Sequence, residues 1–422
     1  MKKNKKLSKS ASSTKKDVLD KFNFTREIGV MVAICSLVFL MQVYINSNSA
    51  VAKHILDAGN LADVFSVVSP TYFVVNVVIC RIFSVVPLMF IPGLILFSTS
   101  NKPSWYFQKA LIFFAIALVQ RFVVYLFVFL FATLNEVDIN ASLFQNFSVL
   151  TYYLAFIAFC FLIVGLVNLI KINRFHYVWI ILLFAILLSL FSRWISIVRT
   201  SDFLSNYLFA FIVPMQNYAV PTITNWFIVF AVGYLCGFIY SKIKNNDKIL
   251  IACIVVGVIA FVVFFVNATN NQQTLFGVFT KGASGHNWIG IFDAILLCMP
   301  VFTLALICHY IDKFVPEKFI NPVYSYAKSI VSVLTIAAPV AVVYVWAKLG
   351  FLGYISQLNL IVVWLFYFVY VALVIVIAFL YRKFIKPKVI DFFRNNYFYI
   401  SLIIVVLCLS SSVIFITFTS ML

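Results

Sequence analysis

Charged residues are scarce in this sequence, because Asp, Glu, Lys and Arg together make up only 10% of its 422 residues. A soluble globular chain carries about 25% charged residues, so this composition excludes an ordinary soluble domain. Hydrophobic residues make up 64% of the chain and fall into long blocks separated by short polar breaks. A helix needs about 20 apolar residues to cross a bilayer. The sequence therefore predicts an all-α, polytopic transmembrane helical bundle.

Several motifs that carry chemistry are also missing from the sequence. It contains no phosphate-binding GxxxxGK[ST], no GxGxxG and no zinc-type spacing of cysteine and histidine. The eight cysteines are scattered singly, and we interpret them as small apolar core residues. An ATP-driven pump and a soluble-type enzyme domain are therefore disfavoured, and we predict no metal site and no bound cofactor.

The apolar blocks predict about eleven membrane spans, each near the length that a bilayer requires. Residues 1–28 are a Lys-rich arm that we expect to be disordered and cytoplasmic, and residues 29–422 form one transmembrane domain. The predicted spans are 29–46, 79–98, 108–133, 148–170, 177–192, 223–241, 249–267, 289–310, 325–347, 358–381 and 396–418.

The net charge of +18 comes from basic residues in the breaks between apolar blocks. If the amino terminus is cytoplasmic, most of them fall on one side, which is the positive-inside pattern of membrane proteins. We therefore predict a plasma-membrane protein in contact with the lipid bilayer, with its carboxyl terminus outside the cytoplasm and no nucleic-acid partner. Residues 64–78 and 193–222 are expected to be re-entrant or interfacial segments on the outer side, because counting 64–78 as a span would invert every later loop.

Two arginines inside predicted spans are the first candidate site residues. A charge in hydrocarbon costs about 2.5–3.5 kcal/mol on insertion scales, so Arg81 and Arg121 need a reason to be there. Arg121, beside Gln120, suits a buried cavity that binds an anionic or acyl-carrying group. The alternatives are a snorkelling Arg81 and an internal ion pair at Arg121 that fixes helix packing.

Histidines and carboxylates near the predicted outer face are the candidate catalytic residues. Asp293 lies near the outer end of a span, with His286 before it, and such a pair can do acid/base work. His54 and Asp57 lie three residues apart, so a helix there would place them on one face. A solvated histidine is the simpler interpretation of His286. The acidic residues in the predicted first outer loop, which contains His54 and Asp57, would equally suit a glycosyltransferase.

Three segments resemble the superfamily of multi-pass acyltransferases that modify surface glycans, the acyltransferase-3 and heparan-glucosaminide acetyltransferase-like proteins. RIFSVVPLMFIPG begins at residue 81 and is similar to that family's second span, R-x-x-x-P-L-F-F-x-x-S-G. FIVFAVGYLCGF, within residues 211–242, is similar to its F-x-x-G-x-x-x-G span. INPVYSYAKSIVSV, within residues 320–344, resembles the start of its late span. The histidines that the family normally carries are missing from the first span and from the late span.

The resemblance implies a role for individual residues of this chain. Arg81 would match the family's arginine, Pro87 and Gly93 would shape the second span, and Gly233 and Gly237 would allow close helix packing. Small residues four apart do this in lipid even without kinship. Without the usual histidines, either His54 or His286 takes the role of base, or the chain is a non-acylating relative.

These observations lead to a membrane protein of cell-envelope glycan metabolism, similar to an O- or N-acyltransferase. Acyl-CoA would be the donor substrate, bound near Arg81 and Arg121, and a glycan or lipid-linked glycan would be the acceptor. The alternatives are a transporter or flippase for a lipid-linked glycan, and a polysaccharide polymerase or glycosyltransferase.

Overall fold

The computed structural model describes residues 25–55, 81–135, 141–170, 172–195, 223–270, 291–334, 360–385, 387–388 and 398–406. These residues are almost entirely helical and include no strand. The helices are α1 Arg26–Ile55, α2 Arg81–Ser98, α3 Pro103–Asn135, α4 Ala141–Leu169, α5 Arg174–Ile195, α6 Ile223–Ile243, α7 Asp247–Asn270, α8 Ile291–Phe314, α9 Glu317–Leu334 and α10 Leu360–Leu380, which continues into a π-helical turn, Tyr381–Ile385.

The all-α prediction is confirmed for this part of the chain, and each predicted span overlaps helical residues. Three helical segments are long and apolar enough to cross a membrane: Trp226–Ile243, Ala294–Phe314 and Tyr367–Ile385. The total of eleven spans stays a prediction.

Two helix boundaries differ from the prediction. Helix α9 begins at Glu317 and not at residue 325, because its first half is amphipathic: Ile320 is buried while Lys318 and Phe319 are exposed. A search for continuous apolar sequence does not detect such a start. Helix α5 runs to Ile195, so the predicted outer segment begins inside a helix. Residues 64–78 and 196–222 lie outside the described residues.

Helices α2 and α6 cross at a contact that glycine permits. A Cβ atom added at Gly93 would collide with the carbonyl oxygen of Phe230, and one added at Gly233 would collide with that of Phe90. At Gly237 it would lie 2.9 Å from the Cβ atom of Phe97. The sequence-based prediction of close packing at Gly233 and Gly237 is therefore confirmed, and Gly93 is its counterpart on α2.

Aromatic rings fill the core beside this crossing. Phe227 lies between Phe159 and Phe230, with ring centroids 5.3 Å and 5.1 Å away, and Phe97 meets Tyr234 edge-on at 5.3 Å. Such ring pairs contribute about 0.5–1.5 kcal/mol beyond the area that they bury. They hold α2, α4 and α6 at fixed distances, and so fix the position of the polar residues at the end of α6.

Side-chain contacts bring several helix termini together at one end of the bundle. The first turn of α1 contacts the ends of α6 and α8, and the start of α7 contacts the end of α8. We call this the Glu27 end. Since α1 leaves this end and α8 arrives there, the last turn of α1 and the first turn of α8 lie toward the opposite end.

Candidate functional site

Three side chains from separate helices form a hydrogen-bonded group at the Glu27 end. Glu27 lies in the first turn of α1, Tyr240 near the end of α6 and His309 near the end of α8. The Tyr240 hydroxyl donates to Oε2 of Glu27 over 2.6 Å and lies 2.8 Å from Nδ1 of His309. Nδ1 is also 3.3 Å from Oε1 of Glu27. We call these three residues the Glu27 cluster.

The hydrogen bonds of the Glu27 cluster determine which nitrogen of His309 carries the proton in the neutral ring. An ionised carboxylate can only accept hydrogen bonds, so the hydroxyl proton of Tyr240 points to Glu27. The Tyr240 oxygen then accepts from Nδ1–H of His309. In neutral imidazole one nitrogen donates and the other accepts, so Nε2 carries the lone pair. This histidine has the arrangement of a general base that is oriented by a carboxylate.

The cluster is sheltered but not sealed from solvent. The side chain of His309 is 17% exposed and that of Glu27 is 26% exposed. Partial burial strengthens charge-assisted hydrogen bonds relative to water, while the remaining exposure leaves a way in for a reactant. The position at the helix ends therefore suits chemistry on a molecule that approaches from this face.

Two ion-pair groups surround the cluster and fix the helix ends around it. Arg26 donates to Glu317 over 2.8 Å and lies 3.4 Å from Asp312, so it links α1 to α8 and α9. Its hydrogen bond to Glu317, followed by the charge of Asp312, raises the pKa of Arg26.

The second ion pair joins α7 to α8. The ammonium group of Lys313 bridges both carboxylate oxygens of Asp247, at 2.9 Å and 3.1 Å. This hydrogen bond holds the pKa of Asp247 below its ordinary value. Both side chains are about half exposed, so we treat this pair as an aid to positioning and not as a large source of stability.

The predicted site residues lie in other parts of the bundle. His54 is in the last turn of α1, Arg81 is the first residue of α2, Arg121 follows Gln120 within α3, and Asp293 is in the first turn of α8. The structure describes the backbone at these positions and not the side chains. Asp57 and His286 lie outside the described residues. The predicted pairing of His54 with Asp57, and that of His286 with Asp293, therefore stay predictions.

Helix geometry places the backbone at Arg81, Arg121 and Asp293 far from the Glu27 end. With a rise of 1.5 Å per residue, Arg81 lies about 25 Å from the end of α2 at Ser98. By the same rise, Arg121 lies about 27 Å from the start of α3, and Asp293 about 24 Å from His309. The backbone at these three positions is therefore separated from the Glu27 cluster by most of a bilayer thickness, and a shared site at these charges stays a prediction.

Sequence analysis missed the residues that the structure brings together. Glu27 fell at the end of the predicted arm, Tyr240 inside an apolar span, and His309 at the cytoplasmic end of a predicted span, beside basic residues. Their sequence separations, 213 between Glu27 and Tyr240 and 69 between Tyr240 and His309, leave no local motif to find. The one signal in the sequence was that all three positions were predicted to lie on the same membrane face.

A buried cation in α3 is a second feature that the sequence analysis did not single out. Lys109 is almost fully buried, and its ammonium nitrogen lies 5.7 Å from the centroid of the Trp105 ring. A cation over an indole face gains about 0.5–2 kcal/mol, more as water is excluded. Lys109 therefore packs over Trp105 in the first turns of α3.

Comparisons with models of protein families, with curated proteins and with solved structures found no match. The resemblance to membrane acyltransferases therefore stays a prediction. Among the described residues, no group of three His, Cys, Asp or Glu side chains is placed to hold a metal ion.

Proposed function

We propose that this chain is an integral membrane protein of cell-envelope glycan metabolism, and that it transfers an acyl group with His309 as general base. The observation that carries the proposal is the hydrogen-bonded order Glu27, Tyr240, His309, which leaves Nε2 of His309 as an acceptor. The resemblance to membrane acyltransferases supplies the reaction class, with acyl-CoA as donor.

The surface of the bundle supports the membrane part of the proposal. Helices α5, α7 and α10 carry stripes of exposed large apolar residues, of which Leu183, Ile259 and Phe368 are about 60% exposed. Soluble proteins rarely expose apolar patches beyond a few hundred Å². Lipid chains are the solvent that such stripes suit.

The distribution of basic residues supports a cytoplasmic orientation of the Glu27 end. Many of the described basic residues gather at the Glu27 end, where α6 and α7 meet and where α8 and α10 finish, while Lys53, Arg81, Arg121 and Arg193 lie in other parts of the helices. Positive charge marks the cytoplasmic side of membrane proteins, so the Glu27 end faces the cytoplasm in this proposal. A cytoplasmic thioester donor would then meet the Glu27 cluster directly. The basic residues are Lys102, Lys242, Lys244, Lys248, Lys313, Lys318, Arg382, Lys383 and Lys388.

In the proposed reaction, the acceptor is a hydroxyl or amine group of a lipid-linked glycan at this face. Nε2 of His309 takes the acceptor's proton as the acceptor atom attacks the thioester carbonyl. The tetrahedral intermediate collapses, its carbon–sulfur bond breaks, and the departing thiolate receives the proton from the imidazolium. Glu27 stabilises that imidazolium both directly and through Tyr240.

The experiment compares two histidine substitutions at the same end of the bundle. His309→Gln removes the base, and general-base catalysis contributes about 10²- to 10⁴-fold, so the transfer rate should fall by that factor. His176→Gln is the control, because His176 is exposed in the first turn of α5. The readout is acyl incorporation into envelope glycans by mass spectrometry, together with thioester consumption by the purified protein.

The result also separates the proposal from its main competitor. A His309→Gln variant that is folded and transfers acyl groups at the normal rate would refute the role of His309. A glycan flippase would consume no thioester, but would carry a labelled lipid-linked glycan across vesicle membranes. If His309→Gln abolished that transport instead, the Glu27 cluster would be a proton relay of a transporter.

A further inference from the structure

Helix α10 ends in a π-helical turn, Tyr381–Ile385, that is fixed to α9 by one arginine. Nη1 of Arg382 donates to the carbonyl oxygen of Ser325 over 2.9 Å, to its hydroxyl over 3.0 Å and to the hydroxyl of Ser329 over 3.1 Å. All three contacts use the same nitrogen. The guanidinium is therefore anchored through Nη1, while Nε and Nη2 are left as donors.

The unused edge of this guanidinium points to an anionic ligand. Within the described part of the chain, Nε and Nη2 of Arg382 make no hydrogen bond. An arginine stays charged at every relevant pH and presents two parallel N–H groups along such an edge, which match two oxygens of a phosphate. The local sequence YRKFIKPK, residues 381–388, is basic and contains no acid.

The surroundings of Arg382 distinguish a lipid phosphate from a free one. Phe384 is 55% exposed and Ile385 is 49% exposed, and the ammonium nitrogen of Lys383 lies 5.3 Å from the centroid of the Phe384 ring. Exposed apolar groups beside lysines are typical of segments at the boundary between headgroups and acyl chains. A free phosphate would gain nothing from Phe384 and Ile385, whereas a phospholipid would cover them with its chains.

We propose that Arg382, Lys383 and Lys388 form a binding site for the phosphate of an anionic phospholipid, and we call it the Arg382 site. The site joins α9 and α10, so a bound lipid ties together two helices that enclose one side of α1. The proposal rests on the membrane location proposed above, but not on acyl transfer.

The test compares two pairs of lysines at the same end of the bundle. Lys383→Gln with Lys388→Gln removes both lysines of the Arg382 site, and Lys244→Gln with Lys248→Gln removes the same charge from the turn after α6 and the first turn of α7. A lysine near an anionic surface strengthens binding by about fivefold, the equivalent of about 1 kcal/mol. Loss of the first pair should therefore weaken retention of phosphatidylglycerol by about 25-fold, and loss of the second pair should change it little.

Retention is measured by native mass spectrometry of full-length protein released from neutral-lipid nanodiscs that contain phosphatidylglycerol. Glycerol phosphate, added as a competitor, should not displace the lipid, and displacement would show a simple phosphate site instead. An equal loss with both lysine pairs would overturn the proposal in favour of general surface charge. No loss with either pair would overturn it outright.

A third variant tests the geometry of the arginine itself. Arg382→Lys keeps the charge and removes the paired N–H groups, so it should weaken retention where an effect of charge alone would not. The thermal transition of this variant is recorded alongside, and Ser329→Ala, which removes one acceptor of Nη1 and no donor to phosphate, is the control for loosening of the turn. His309→Gln should retain phosphatidylglycerol normally, so the failure of acyl transfer and the failure of the Arg382 site are distinguishable.

Discussion

Removing the hydroxyl group of Tyr240 is the sharpest structural test of the Glu27 cluster. Tyr240→Phe keeps the ring and its packing but deletes the 2.6 Å hydrogen bond to Glu27 and the 2.8 Å contact with His309. A hydrogen bond to a charged group contributes about 1.5–3 kcal/mol, and Glu27 here is mostly shielded from water. We therefore expect the free energy of unfolding to fall by about that amount.

A second tyrosine at the same end provides a matched control. The hydroxyl of Tyr310 lies 3.3 Å and 3.4 Å from oxygens of Asp247, in an exposed position. These distances are long for hydrogen bonds between oxygens, whose usual separation is about 2.7–2.8 Å. Surface substitutions usually change stability by less than about 0.5 kcal/mol, so Tyr310→Phe should fall within that range.

The measurement is reversible unfolding in mixed micelles with a rising fraction of denaturing detergent, followed by tryptophan fluorescence. If Tyr240→Phe unfolds with the wild-type free energy, or if the two variants lose the same amount, the hydrogen-bond order assigned to the Glu27 cluster is wrong. Tyr240→Phe retains His309 and its direct contact with Glu27. It should therefore keep more of the acyl-transfer rate than His309→Gln does.

Three further predictions test the packing, the surface electrostatics and the topology. Gly233→Ala puts a methyl group against a backbone carbonyl of α2 and should cost about 1–3 kcal/mol. Gly257→Ala meets the side chain of a threonine on α8 and should cost less in the same unfolding assay. The stability difference between wild type and Asp247→Asn should be present above the ordinary carboxyl pKa and vanish as the pH falls through the lowered pKa of Asp247. A difference that persists in acid would contradict the ion pair with Lys313. A topology reporter fused after Leu422 should be outside the cell, and a cytoplasmic signal would rule out an odd number of spans.

Much of the fold could be predicted because long apolar helices leave a strong record in sequence. Each predicted span overlaps helical residues in the described part of the chain, and several of the basic breaks lie at helix ends that meet at the Glu27 end. The contact at Gly233 and Gly237 could be predicted as well, since small residues four apart in an apolar helix are typical of a close contact with a second helix. The apolar helices and the paired glycines each depend on residues close together in sequence, so both are visible before the structure is known.

The start of α9 shows where this kind of prediction stops. Glu317 and Lys318 look like loop residues because charge and apolar residues alternate there with a helical period. Averaging hydrophobicity over about 20 residues, the length of a membrane span, hides that alternation. The boundary depends on which face of the helix rests on the bundle, and that is settled by contacts such as the one between Tyr324 and Gly29.

The Glu27 cluster could not be predicted, because its members are ordinary one at a time. A glutamate at the start of a helix is favourable near the positive end of the helix dipole, and a tyrosine near a membrane surface is common. A histidine near lysines at a helix end does not by itself indicate a functional site either. Only the meeting of the first turn of α1 with the ends of α6 and α8 makes Glu27 the acceptor for Tyr240 and thereby determines the tautomer of His309.

The separation between the two sets of candidate residues constrains any mechanism for this protein. His309 lies about 24 Å from the level of Asp293 by the rise of its own helix, and a side chain reaches only a small part of that distance. His309 and the charges at Arg81 and Arg121 therefore cannot act on the same atoms in one step. If acyl transfer occurs at the Glu27 cluster, the distant charges serve a separate step, such as holding or moving the modified glycan lipid. Substituting Arg121→Gln should then impair the appearance of acylated glycan outside the cell while leaving thioester consumption intact. An equal loss of acylated glycan and of thioester consumption would place the chemistry at the level of Arg121. The Glu27 cluster would then only hold the helix ends together.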